Sequence, residues 1–238
     1  MRLSALMNVP RGITAAVGGG GKTSLLWRLA QELSESATVL LATTTHIWPP
    51  ACETLLNPTA EEVRATLRHT NLLAVGSPAE GGKLREATAL RGQYEGLANY
   101  VLIEADGSRG LPLKAPADHE PVLPAGAALV VAVAGMACMG QTVAAAAHRA
   151  ALYAELCGLD ECASVTPEAV ACVLNHPQGL RKGVAGRFCV VLNQADTPER
   201  IAFARAVAAQ LKAETIITAL QTQPCFAERW LGGMRAEA

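Results

Sequence analysis

Four consecutive glycines followed by a lysine and two hydroxyl residues, Gly18-Gly19-Gly20-Gly21-Lys22-Thr23-Ser24, stand behind an apolar run, Ile13 to Val17. They open a stretch from Lys22 to Leu33 in which Leu25, Leu26, Leu29, Ala30 and Leu33 recur at helical spacing. A strand that turns through glycines into a helix forms a cradle for an anion. Glycine accepts positive φ, allows close backbone approach and lets successive N–H groups turn inward. The helix adds the positive end of its dipole. In such a cradle Lys22 reaches terminal phosphates, and the Thr23 hydroxyl lies where it can coordinate Mg²⁺. A glycine-rich turn without a ligand is the plainer alternative, and the flanking strand and amphipathic helix argue against it.

The rest of the chain continues the same alternation. Thr38 to Thr43, Leu72 to Val75, Tyr100 to Ala105, Ala128 to Ala134, Phe188 to Leu192 and finally Thr215 to Ala219 read as short apolar strands. Ala60 to Arg68, His148 to Cys157, Pro167 to Leu174 and Pro198 to Lys212 read as helices. The pattern predicts an α/β fold, P-loop NTPase-like, with a mainly parallel sheet and helices on both faces. The 238 residues fit the roughly 250 that a single domain reaches. The expectation is therefore one P-loop nucleotide-binding domain over 1–238, with a loop or hairpin excursion around 76–96, where Gly76, Pro78, Gly81 and Gly82 cluster. The long phosphate-loop form G-x-x-x-x-G-K-[ST] would place glycine where Ala16 stands, and the shorter G-G-x-G-K-T fits better. One subclass of P-loop NTPases carries a lysine before the glycine pair. Val17 stands there in this chain, so a trans-acting loop lysine is not available.

In open parallel sheets ligands gather beyond the carboxyl ends of the strands, which directs attention to the polar strand endings. Glu104 and Asp106 close the Tyr100 to Ala105 run one residue apart, a spacing that puts both side chains toward one side of a strand. Thr23 with Glu104 and Asp106 is the candidate Mg²⁺ set, since Mg²⁺ needs only one or two carboxylates beside phosphate oxygens and water. Thr43-Thr44-Thr45-His46 follows another strand; its hydroxyls suit γ-phosphate, metal or attacking water, and β-branching alone also accounts for threonines there. Arg109 and Lys114 offer cations for a transferred phosphoryl group, or plain surface charge. The catalytic candidates are thus Lys22, Glu104, Asp106, Thr45, His46 and Arg109. His119 and Glu120 are weaker candidates in a proline-rich loop. Asn193-Gln194-Ala195-Asp196 resembles the N-K-x-D guanine-reading motif of P-loop GTPases with Gln194 for lysine. Asn193 would support the loop and base edge, and Asp196 would accept two base hydrogens; GTP is favoured, with ATP open.

Scattered charge, 20 basic against 21 acidic residues, gives no basic stripe for nucleic acid and no membrane-binding face. The first residues lack the apolar core of a signal peptide, so a cytoplasmic address is the expectation. Seven dispersed cysteines, Cys52, Cys138, Cys157, Cys162, Cys172, Cys189 and Cys225, read as reduced thiols rather than zinc ligands.

Taken together, Gly-Gly-Lys-Thr-Ser-Leu-Leu, Thr-Thr-Thr-His-Ile, Ile-Glu-Ala-Asp-Gly-Ser-Arg-Gly-Leu-Pro-Leu-Lys-Ala-Pro and Leu-Asn-Gln-Ala-Asp resemble the YqeC family from about Ile13 to at least Asp196. The resemblance implies an accessory role in maturing selenium-dependent molybdenum hydroxylases, with an apo-hydroxylase or cofactor-maturation protein as partner. It also implies that the threonine run and the Glu104 to Lys114 block belong to one site. Three chemistries remain open on these residues: hydrolysis of a nucleoside triphosphate, phosphoryl transfer to a small cofactor precursor, and a non-hydrolysing nucleotide-switched chaperone or carrier.

Overall fold

The computed structural model describes residues 2–222 and 226–236. It is a mixed α/β structure of mostly parallel strands flanked by helices. The chain forms two compact units. The first takes Met1–Ala16, Thr23–Asp106 and Val122–Val130, and the second Val17–Lys22, Gly107–Pro121 and Val131–Ala238. Among the described residues no helix is long and apolar enough to cross a membrane.

The first unit is built on β1 (Gly12–Gly18, through Ala16), β2 (Val39–Thr43), β3 (Thr54–Leu56), β4 (Leu72–Pro78), β5 (Leu84–Arg85) and β6 (Tyr100–Glu104). Their order is β1-β6-β2-β4-β3, every pair parallel, with β5 folding back antiparallel on β4 through Ser77 and Pro78. The register sets Ala16 and Thr43 on either side of Glu104, so β2 and β6 end level with each other. The helices are α1 (Leu3–Leu6), α2 (Lys22–Ser34, in this unit from Thr23) and α3 (Ala60–Thr66). On α2 the helical spacing buries Leu25, Leu26, Leu29 and Ala30, and leaves Leu33 half-buried. α3 starts on a capping box in which Thr59 and Glu62 satisfy each other's backbone amides. One core cluster packs Leu40 of β2, Val63 of α3, Leu73 of β4 and Val101 and Ile103 of β6 with Leu90, Tyr94 and Leu97 from the segment before β6.

The second unit holds β7 (Leu113–Lys114), the end of β8 (Ala127–Gly135), β9 (Ala147–His148), β10 (Arg187–Asn193), β11 (Glu214–Ala219), β12 (Phe226–Leu231) and β13 (Met234–Arg235). β8, β10, β11, β12 and β13 lie side by side in that order, and β7 pairs with β9. The expectation that Thr215 to Ala219 is the last strand is corrected: β11 is followed by an antiparallel hairpin, β12 and β13. That hairpin escaped the sequence reading because Glu228 and Arg229 interrupt its apolar pattern. In the structure Glu228 is buried against Arg205, and Arg229 pairs with Glu214. The helices are α4 (Val143–Ala146), α5 (Ala150–Cys157), α6 (Pro167–Asn175) and α7 (Pro198–Ala208). Both α6 and α7 open on Thr-Pro-Glu, the threonine capping the N–H three residues on and proline occupying the first turn. α7 stops at Ala208, short of Lys212.

Candidate functional site

The glycine run lies in the second unit, braced by its neighbours. Gly18 has φ +95° and Gly20 φ +77°. A Cβ on Gly18 would lie 2.2 Å from the Val133 oxygen, and one on Gly20 2.3 Å from Gly135 Cα. Conformation and space together therefore require glycine at both positions. The Gly19 N–H donates to Val133 O at 2.9 Å and the Gly20 N–H to Leu111 O at 3.1 Å, while the Gly135 N–H donates to Pro112 O at 2.8 Å. Asn193, at the end of β10, donates from Nδ2 to Gly20 O at 2.8 Å, and its Oδ1 accepts from the Leu220 N–H at 3.3 Å. Lys22 is buried, its Nζ 2.5 Å from Gly18 O. Because Gly19 and Gly20 give their amides to carbonyls, the donors suited to an anion are the amides opening α2, which have no acceptor inside the helix. Ser24 sits half-buried in that first turn.

In the first unit Thr23, the next residue along the chain, is open to solvent and donates from Oγ1 to Glu104 Oε2 at 2.7 Å. Glu104 is 7% exposed. Its backbone is fixed as well: the Thr43 hydroxyl and the Thr44 N–H both donate to Glu104 O, at 3.2 and 2.9 Å, and Thr43 Oγ1 accepts from the Thr45 N–H at 3.0 Å. The first threonine of the run therefore closes the ends of β2 and β6. Thr45 follows half-buried, and His46 is exposed. Asp106 is buried but lies two residues beyond the end of β6, so strand alternation does not extend to it.

The cationic block after Asp106 divides in two. Arg109 is exposed in a left-handed turn, φ +53°. Lys114 is fully buried in the second unit, with Nζ 2.7 Å from Gly107 O and 3.0 Å from the Glu120 carboxylate, which also takes Arg149. Burial works to raise the Glu120 pKa, but hydrogen bonds from Arg149 and Lys114 and the Lys114 charge outweigh it and hold the carboxyl at about 2. Burial first, then the charges of Arg149, Lys114 and Arg109, push His148 down, which favours its neutral form. His119 is exposed. Asp196 is 40% exposed, and its Oδ1 accepts from Arg200 one helical turn on, at 2.6 Å. Gln194 adopts φ +64°, with a buried side-chain oxygen that lacks a partner.

The structure thus groups Gly18–Lys22 with Asn193 in one unit, and Thr23 with Glu104 and Thr43 in the other. The sequence reading missed Leu111, Pro112 and Gly135 as the wall against which the glycines pack. Their signal was a Gly-Leu-Pro turn and a glycine ending an apolar strand, neither distinctive alone. Cys138 and Cys189 are buried free thiols pushed up to about 12 by burial, and Cys225 lies outside the described residues. Among the described residues no group of three or more His, Cys, Asp or Glu side chains is placed to hold a metal ion.

The family model described as "YqeC protein" matches residues 14–151, a span that holds the glycine loop, the threonine run and the Lys114–Glu120–Arg149 cluster and stops before Asn193. A protein of Escherichia coli (strain K12) described as "Uncharacterized protein YqeC" is 37% identical over 185 residues, taking in 72% of this chain and 71% of that protein. No solved structure matches the chain.

Proposed function

The chain belongs to the YqeC family, and from that premise we propose that it is a Mg²⁺-dependent nucleoside-triphosphate hydrolase serving as an accessory factor in the maturation of selenium-dependent molybdenum hydroxylases. The observation that carries the nucleotide reading is the glycine turn, held in a left-handed conformation no other residue fits, with the Lys22 amine folded onto its Gly18 carbonyl. In this reading Lys22 leaves that carbonyl for the terminal phosphates, and the amides of the first turn of α2 receive phosphate oxygens. The maturation role is the one the family resemblance implies.

The residues present suit a magnesium ion. The Thr23 hydroxyl and the Glu104 carboxylate are oxygen donors 2.7 Å apart, near the roughly 3 Å edge of an octahedron with metal–oxygen bonds of about 2.1 Å. Thr23 and Glu104 would hold the ion and Asp106 would bind its waters; when bound, the ion would neutralise charge on the phosphates. Arg109 is the exposed cation nearest in sequence to this pair. The proposed base is guanine, read by Asp196, which would have to share its carboxylate between the base and Arg200. A second reading, phosphoryl transfer to a small acceptor, is favoured by one observation: a cleft of about 550 Å³ lined in part by Thr44, whose N–H is bonded to Glu104.

Calorimetric titration of wild type and Lys22→Ala with GTP and ATP, with and without magnesium, alongside phosphate release, tests this. Wild type should bind GTP about tenfold more tightly than ATP, because guanine offers Asp196 two N–H donors that adenine lacks while Arg200 keeps this exposed carboxylate paired in either case, and the variant should lose triphosphate binding while keeping its fold. Equal GTP and ATP affinities would reduce Asn193 to Asp196 to a strand-end turn, and unchanged affinity in the variant would remove the phosphate cradle.

A further inference from the structure

A second cleft chemistry lies wholly within the first unit and does not depend on the nucleotide reading. Residues 86–97 form a compact segment pinned to the core by Ala87, Leu90 and Leu97, and Tyr94 is carried inward with them to 3% exposure. Opposite them runs the turn Val122–Gly126, with Val122 53% exposed. Between these segments opens the cleft of about 550 Å³, within the 300–1,000 Å³ typical of small-molecule sites. Ile13, Val122, Leu123 and Pro124 supply an apolar wall, and Glu86, Arg91 and Glu95 supply the charge.

Two lining residues carry the argument. The Tyr94 hydroxyl and Thr44 Oγ1 are both buried, and neither has a hydrogen-bond partner. A buried hydroxyl without a partner costs about 1–3 kcal/mol, so two beside one cleft mark a place where stability is given up for a ligand. The charge of the lining narrows the ligand. Glu86 already takes Arg91, and Glu95 adds a further carboxylate, so two acids face one base.

We infer that this cleft binds a small neutral or cationic organic molecule, its apolar body against Ile13 and the Val122–Pro124 wall and a hydrogen-bonding end group shared by the Tyr94 and Thr44 hydroxyls. An anion is disfavoured by the excess carboxylate. Burial, aided by Glu86, pushes the Tyr94 phenol up to about 12, so it meets the ligand as a neutral donor and acceptor. An amide or amidine offers such a pair of hydroxyls complementary groups.

The test uses the full chain without nucleotide or magnesium and three isosteric probes at millimolar concentration, benzamide, benzamidine and benzoate, read by saturation-transfer NMR. Benzamide and benzamidine should bind and benzoate should not. Tyr94→Phe should weaken benzamide about tenfold, as loss of one hydrogen bond does, with melting temperature unchanged or raised. Thr44→Val should weaken it likewise. Absence of binding by all three probes, binding of benzoate as tight as that of benzamidine, or undiminished benzamide binding by Tyr94→Phe would each overturn the assignment. So would a fall in melting temperature for Tyr94→Phe, since the hydroxyl would then be structural. Because no nucleotide is present, these outcomes are independent of whether Gly18–Ser24 binds phosphate.

Discussion

Glu104 carries its carboxylate at the end of a buried strand, flanked in register by Ala16 of β1 and Thr43 of β2. Its carboxylate accepts from the Thr23 hydroxyl, and its backbone oxygen is taken by Thr43 and Thr44. A carboxylate held in place by main chain next to a hydroxyl offers the oxygen donors that suit a hard cation. Replacing Glu104 and Asp106 together, Glu104→Gln with Asp106→Asn, keeps the shapes and removes the charges. In wild type, magnesium should raise triphosphate affinity by about tenfold or more, worth ~1.4 kcal/mol. In the double variant the affinity should be the same with and without magnesium while magnesium-free binding persists. Titration of nucleotide across magnesium concentrations checks this, and a surviving magnesium dependence would move the ion elsewhere.

At the level of elements, much was legible. The 3.6-residue spacing of Leu25, Leu26, Leu29 and Ala30, the continuous apolar runs of β1, β6, β8 and β10, and the paired Thr-Pro-Glu helix starts all follow from local rules that tertiary structure left intact. What the sequence could not display is which distant backbone closes on the glycines. Leu111, Pro112 and Gly135 are brought there by the fold, and nothing local in Gly-Leu-Pro announces it. That wall makes a sharp test possible. Gly20 and Gly140 share φ +77°, but a Cβ on Gly20 meets Gly135 Cα at 2.3 Å, whereas one on Gly140 meets nothing within 4 Å. Gly140→Ala should therefore cost only the backbone strain, about 1–2 kcal/mol. Gly20→Ala should cost clearly more, because two backbones must part. Urea unfolding of both variants measures the difference, and equal costs would show that the loop is not packed as described.

For the molecule as a whole, the least legible feature is a charge cluster with no catalytic posture. The sequence reading offered Lys114 as a cation for phosphate because it follows an acidic strand end. In the structure its side chain is fully buried, and its amine is bonded to Gly107 O and to Glu120, which Arg149 also holds. Sequence separation hid the third partner: Arg149 lies 29 positions beyond Glu120. The cluster predicts a pH signature for global stability. Glu120 has a folded pKa of about 2 against 4.5 for the unpaired group. Its stabilisation is therefore fully present above pH 4.5 and is lost as pH falls from there toward 2. Glu120→Gln leaves buried Lys114 without its carboxylate, which should cost about 3–5 kcal/mol at pH 7. Since the unfolded wild-type chain protonates this carboxylate below pH 4.5 while the folded one holds its charge to about pH 2, the gap between wild type and variant should narrow between pH 4.5 and pH 2. Unfolding free energies measured at pH 7 and pH 3 decide the matter: a gap that stays constant across that interval would mean that Glu120 stabilises by shape and hydrogen bonding rather than by charge.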